Sequence, residues 1–416
     1  MVLPQRMDPR SLVMRFFVAL AVCGAVPASA QEEDAGTPSV AVEPVAPVKP
    51  TPVVELIGPG LNLRFGEYVT LKAQGVIAPR YTFNQRTQPP AGDPEINQAP
   101  SLSRTRVILT LGLTEHVMMR IRFGYATGGP LRVEQAFADF VLPGWGSLRA
   151  GQFFSPVSWA DSYFPETLVA TDFSSAANTF SGGQTHGVMA TLTRVDRLKL
   201  IALLSDGLRT GYTEFASPVS ADVAGMLRVE VMTIGKGFER FDDPGSFRTE
   251  PVALRLSAAV HGQTGGATGS TTAKNVLLST VDAALEGHGF AVTAEGMYAH
   301  VSSPAMAAVD DFGVLAEGSV FLLDWLQLWA RFDAVWSGGV HSDPFPSPGT
   351  GPFRTYGAGA NAYLIPGTHH LKVQLDLTLM PDAQSVSLVT TSLNAGVFST
   401  SAGRQWTGRL QLIAAF

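Results

Sequence analysis

The chain has 416 residues, 45% of them hydrophobic and only 15% charged, with 42 Gly, 28 Pro and a net charge of −6. A soluble domain carries about 25% charged residues, yet nothing after the N-terminal segment stays apolar and uncharged for the ~20 residues that a spanning helix needs. A polytopic helical membrane protein and a basic nucleic-acid binder are excluded, and an ordinary soluble enzyme is disfavoured.

Arg6, Arg10 and Arg15 precede the apolar run Phe16-Phe17-Val18-Ala19-Leu20-Ala21-Val22, and Ala28-Ser29-Ala30 supplies a small-residue cleavage site. Residues 1–30 therefore read as a secretory signal that is removed. The mature chain would carry 26 basic and 34 acidic residues, a net of −8. Its only cysteine, Cys23, falls in the removed segment, so neither a disulfide nor a Cys-ligated metal is expected. A lipoprotein start at Cys23 fits less well, because Val22 stands where a small residue belongs. Residues 31–60 read as a Pro/Ala-rich periplasmic leader, with the composition bias running over 31–55, and residues 61–416 as the folded domain.

From about residue 66 the chain alternates apolar and polar residues with a period of two, the mark of strands whose faces meet different environments. In chain order the candidate strands are 66–83, 103–114, 117–126, 131–141, 147–154, 186–194, 198–205, 222–234, 251–262, 275–286, 289–299, 311–323, 325–337, 353–364, 369–380 and 405–416. Val107, Leu109, Leu111 and Leu113 lie on the face opposite Arg104, Arg106 and Thr110. In the last strand Trp406, Gly408, Leu410, Leu412, Ala414 and Phe416 alternate with Gln405, Thr407, Arg409, Gln411, Ile413 and Ala415. Runs of ~9–12 residues suit a tilted strand crossing a bilayer. The terminal Phe416 resembles the assembly signal of bacterial outer-membrane barrels.

Connections after the even strands are mostly short, such as Glu115-His116 and Gly287-His288, whereas those after odd strands include 84–102, 155–185, 206–221, 338–352 and 381–404. Short periplasmic turns and long external loops are the rule for outer-membrane barrels. The stretch 235–250 departs from it: either this is an elaborated turn or the strand count fails there. The fold class expected is all-β, a 16-stranded antiparallel transmembrane β-barrel with an inward-folded third external loop.

Sixteen strands enclose a water-filled channel, which something must narrow. Loop 155–185 holds Asp161, Glu166 and Asp172 but no Lys or Arg, while Arg104, Arg106, Arg120, Arg122, Arg132 and Arg149 occupy lumen-parity positions on strands 2 to 5. A basic wall facing an acidic loop would set a transverse field across the constriction. The plainer alternative is a set of solvated arginines paired with Glu134 and its neighbours. Adding Lys72, Arg80, Arg228, Arg255, Arg331, Lys372 and Arg409 gives a basic lumen set larger than its acidic one of Glu134, Glu230, Glu295, Glu317, Asp333 and Asp376. A mild preference for anions follows.

Leu131-Arg132-Val133-Glu134-Gln135-Ala136-Phe137 leads, after a turn, to Leu148-Arg149-Ala150-Gly151-Gln152-Phe153-Phe154-Ser155-Pro156. This resembles the phosphate-selective porin O/P family, whose strands carry an R-x-E/D-x-A-Y/F run and then G-Q-F-K-x-P. The resemblance implies a sixteen-stranded, usually trimeric outer-membrane porin. Phe154 replaces the family's lysine, so phosphate selectivity does not carry over.

The sequence holds no H-E-x-x-H, G-x-S-x-G or Walker A pattern. No enzymatic activity, cofactor or metal is expected: His369-His370 reads as an interfacial pair, and Asp242-Asp243 and Asp310-Asp311 as solvated loop acids rather than Ca²⁺ ligands. Expected partners are outer-membrane lipid, the barrel-assembly machinery, two further copies in a homotrimer, and small hydrophilic solutes or anions; nucleic acid is not among them. Three functions remain: passive diffusion of small hydrophilic solutes with a weak anion preference, a specific phosphate or oxyanion channel, and a plugged structural or adhesive barrel.

Overall fold

The computed structural model describes residues 53–416 apart from 56–59, 67–68, 90, 126–129, 165, 212–219, 266–274, 304–305, 339–350, 383–396 and 399–402. The signal segment 1–30 and most of the leader 31–60 lie outside the described residues. Two short strands come first, β1 (Val53–Glu55) and β2 (Leu61–Phe65), so the leader's last residues already pair, Val53 opposite Arg64. The remaining strands are β3 (Val69–Arg86), β4 (Ile96–Thr114), β5 (Val117–Tyr125), β6 (Arg132–Leu142), β7 (Gly146–Phe154), β8 (Gln184–Val195), β9 (Leu198–Ser205) and β10 (Val223–Ile234). They continue as β11 (Ala253–Thr264), β12 (Asn275–Gly287), β13 (Phe290–Ser303), β14 (Met306–Leu323), β15 (Leu326–Ser337), β16 (Gly351–Tyr363), β17 (Leu371–Met380) and β18 (Gln405–Ala415).

Strands β3 to β18 pair antiparallel in sequence order, and β18 returns to β3 with Gln405 opposite Arg86. The ring is closed, which leaves no exposed barrel edge. Its sixteen strands are those expected from the alternation, with ends moved by a few residues. β2 extends the β18 edge of β3, Leu61 opposite Ala73. The doubtful stretch is resolved as a long turn between β10 and β11 containing one short 3-10 segment, Glu239–Asp242. All other connections at that end of the barrel are short.

The period-two pattern fixes which side chains turn inward. In β12 Leu278, Thr280, Asp282, Ala284 and Glu286 are buried, while Leu277 and Val281 are exposed. Exposed aromatics gather at two levels of the outer face. Trp145, Trp325, Phe140 and Phe416 lie near the short turns; Tyr81, Tyr125, Phe312, Trp336, Tyr356 and Trp406 lie near the long connections. From Trp406 to Phe416 a strand rises ~33 Å, or roughly 25 Å of thickness at a tilt of ~40°, the height of an apolar band between aromatic girdles.

Candidate functional site

The charged groups of the interior meet in residues 155–183, the connection between β7 and β8. This segment contains a short 3-10 turn (Ala160–Ser162) and one short helix, α1 (Ser175–Phe180), capped by Ser174, whose hydroxyl accepts from the Ala177 N–H at 2.9 Å. It bonds the barrel in three chemically different ways.

Its carboxylates meet arginines. Asp172 accepts from Arg80 Nη1 at 2.8 Å and Arg104 Nη2 at 2.9 Å, with Arg409 Nε at 3.7 Å. Burial would raise the Asp172 carboxyl, but Arg80, Arg104 and Arg409 outweigh it and hold the group at about 2. Glu166 lies 3.5 Å from Arg106 and 3.4 Å from Arg122. The same two arginines share Glu134, at 2.7 and 2.8 Å. Glu134 is the extra residue of a β-bulge, since Arg122 pairs with Gln135 but Phe123 with Val133. Gly124 makes room for it: a Cβ there would stand 2.2 Å from Glu134 Oε1.

Its backbone N–H groups and hydroxyls meet carboxylates of the other walls. Trp159 N donates to Glu295 at 2.9 Å, Thr171 Oγ1 to Asp376 at 3.0 Å, and Ala176 N to Asp333 at 3.0 Å. Its carbonyls complete the set, with Lys372 Nζ donating to Leu168 O at 2.9 Å and Asn361 Nδ2 to Val169 O at 2.8 Å. A segment without a single cation thus satisfies acidic and basic walls alike.

Its apolar side chains meet apolar side chains. Val157, Trp159, Leu168 and Phe180 cluster with the inward-facing Leu278, Met297, Leu315 and Val335. Phe180 is fully buried, and a Cβ on Gly313 would stand 2.4 Å from its ring. Burying each such side chain contributes about 1.5–3 kcal/mol.

The predicted site residues divide accordingly. Arg104, Arg106 and Arg122 contact Glu166 or Asp172 of the loop. Arg149 pairs instead with Asp139 at 2.7 Å, its guanidinium 4.0 Å from the Phe137 ring. Arg132 is exposed at the long-connection end of β6. Arg120 donates to Thr110 Oγ1 at 3.4 Å and forms no ion pair among the described residues. Asp161 bonds within its own segment, accepting from Ser181 Oγ and from Gly182 N at 2.8 Å, and burial pushes its carboxyl up to about 6 against those bonds. Phe416 closes the seam, exchanging backbone bonds with Gly75.

Sequence alternation missed the inward acids Asp139, Asp282 and Glu286. Asp282 binds Arg228 at 2.8 Å and Arg255 at 3.2 Å. Both faces of β12 begin apolar, so its parity gave no signal. With these acids and the three of the loop, the basic excess expected in the lumen largely disappears. Beside the loop a cavity of about 220 Å³ is lined in part by Arg120, Arg122, Gln135, Glu166, His369 and His370.

No protein-family model matches this sequence, and no curated protein does. Solved structures do. The anion-selective porin from Comamonas acidovorans superposes with a TM-score of 0.59 at 10% identity, over 84% of this chain and 100% of that one. The fold is the porin fold. The outer membrane channel DcaP of Acinetobacter baumannii gives 0.53 at 10% identity, over 84% of this chain and 97% of its own. The trimer form of OmpT from Vibrio cholerae gives 0.56 at 10% identity, over 84% and 100%. At such identities the shared porin fold is the finding, and the chemistry must come from this chain's residues.

Proposed function

We propose that this protein is a bacterial outer-membrane porin through which small hydrophilic solutes diffuse passively, with at most a weak preference for anions. The observation that carries the reading is the closed sixteen-stranded ring, apolar outside and densely charged inside. Its long connections face the exterior and its short turns the periplasm. Segment 155–183 is the constriction: contacts to β3, β4, β5, β13, β15, β16 and β17 are consistent with a loop folded into the lumen. Pairing of the basic wall with Glu134, Glu166 and Asp172 leaves little free cationic surface, which argues against a specific oxyanion channel. Arg120, lining the cavity beside the loop, has no ion pair among the described residues and is a cation that would favour anions. Kinship to the phosphate-selective porin O/P group rests on the β6–β7 motif, without its phosphate selectivity. Homotrimeric assembly is supported by the trimeric form of a structural neighbour. No catalytic role is assigned.

A second reading, a barrel closed at rest, is favoured by the near-complete burial of the inward charges Arg228, Asp282 and Lys372. Planar-bilayer recordings in KCl gradients decide between them. Ohmic steps with an anion-to-cation ratio slightly above one support diffusion; saturation by phosphate supports a specific channel; silence supports the closed barrel.

A further inference from the structure

The turn between β10 and β11, residues 235–252, is far longer than closing a hairpin requires, and part of it, Phe241 and Pro244 to Ser246, is buried. Near its start Phe241 is buried against Met232, Ala253 and Ala284, with the inward Arg255 guanidinium 5.0 Å from its ring centre. Arg240 Nε reaches the inward Glu286 at 2.6 Å. Further along, the turn has crossed to the opposite strands. Phe247 packs on Phe321 of β14 and Tyr363 of β16, with ring centres 5.3 and 5.5 Å apart. Asp243 binds His369 Nε2, and a Cβ on Gly245 would stand 3.2 Å from Gln327 Nε2 of β15.

There the turn meets the constriction loop. The same Cβ would lie 3.6 Å from Val169 Cγ1. A polar chain runs parallel to this contact: Asp243 to His369, His369 Nδ1 to Lys372 Nζ at 3.3 Å, and Lys372 Nζ to Leu168 O at 2.9 Å. One segment therefore enters from each end of the barrel, and the two touch on the β15–β17 side.

We propose that residues 236–251 form a periplasmic plug, joined to loop 155–183 through Asp243, His369 and Lys372, which closes the β10–β17 sector and confines solute to the sector lined by β4–β9. The inference rests on the channel reading above. It accounts for a contrast in the interior. The ion-paired Arg228 and Asp282 and the hydrogen-bonded Lys372 are sealed from water, whereas Arg149 of β7 keeps 28% of its side chain accessible.

Replacing 236–251 by Asn-Gly, which suits a two-residue hairpin turn, removes the plug and keeps the strands. Single-channel conductance should rise at least two-fold over wild type, or appear if the wild type is silent. A folded variant whose conductance equals that of wild type, silence in both included, overturns the plug. A second measurement is independent of conduction and of that deletion folding. The chain holds a single Cys, Cys23. Ser246→Cys, at a position with 0% exposure, should therefore react with a membrane-impermeant thiol reagent at least ten-fold more slowly in the folded barrel than after unfolding. Adding Asp243→Ala and Phe247→Ala should restore fast labelling; fast labelling of Ser246→Cys alone overturns the proposal. Wild-type conductance tests the channel reading, and the labelling ratio tests the plug.

Discussion

The end of the Phe416 ring lies over Gly75 on the outer face of the barrel. The two residues exchange backbone bonds, Gly75 N to Phe416 O at 2.9 Å and Phe416 N to Gly75 O at 3.0 Å, and a Cβ on Gly75 would stand 2.2 Å from the ring's Cζ. Only glycine lets the terminal aromatic close the seam between β3 and β18. Gly75→Val should displace the ring and cost about 1 kcal/mol, the low end for overpacking because an exposed terminal ring swings aside. The variant should fold more slowly into detergent and unfold at lower denaturant. In a Phe416→Ala background the same substitution should cost much less, and equal costs in both backgrounds would remove the ring from the argument.

Glu134 serves two arginines at once. Glu134→Gln keeps the shape but removes the shorter carboxylate contacts of Arg106 and Arg122, leaving Glu166 at its longer distances. Breaking a buried pair on one side costs about 3–5 kcal/mol. The uncompensated charge should raise the anion-to-cation permeability ratio, read from reversal potentials in a KCl gradient. Arg120→Glu should move the ratio the other way with little loss of stability, because that guanidinium has no ion pair among the described residues to lose.

Acid should loosen the loop through Asp172. Its carboxyl sits at about 2 in the folded protein against an ordinary value of 3.8. A depressed carboxylate stabilises the state that depresses it at pH above the ordinary value and stops doing so as pH falls through the folded value. The contribution, roughly 2 kcal/mol, is thus intact at pH 5 and fades between about 4 and 2. Conductance noise should increase over that window in wild type. Asp172→Asn should show the noise already at pH 7 and no further change on acidification.

Strand positions were legible because a closed membrane barrel imposes one simple rule, lipid on one face and water or protein on the other. The final strand obeys it from Trp406 to Phe416, and the turn–loop rhythm placed every hairpin but one. The long β10–β11 turn defeated that rhythm, since Phe241, Phe247 and Asp243 declare an inward path only through partners distant in sequence. Ion pairing of the loop was half legible. The acids Glu166 and Asp172 and the arginines were identified, but they bond directly instead of facing each other across a gap. What joins them is a bulge at Glu134 and the space over Gly124, neither visible as a period. The apolar seat was hidden for a further reason: Leu278, Met297, Leu315 and Val335 break the polar-inside rule because they face the loop rather than water.

That seat gives the sharpest test of the loop. Gly313 pairs with Met297 on one side and Val335 on the other, and its missing side chain is the space that Phe180 fills. Phe180, unlike Phe416, is enclosed and has nowhere to swing. Gly313→Val suits a strand, so the barrel should assemble, but the two atoms cannot share one place. Helix α1 should lift off its seat at a cost of about 1–3 kcal/mol, releasing the Ala176–Asp333 bond with it. Single-channel conductance should increase, and a protease should cut near residue 178 in the variant but not in wild type. Combining Gly313→Val with Phe180→Ala lets the new side chain occupy the vacated space, so conductance and protection should return toward wild type. If the double variant stays as open as the single one, the ring–glycine contact does not hold the loop.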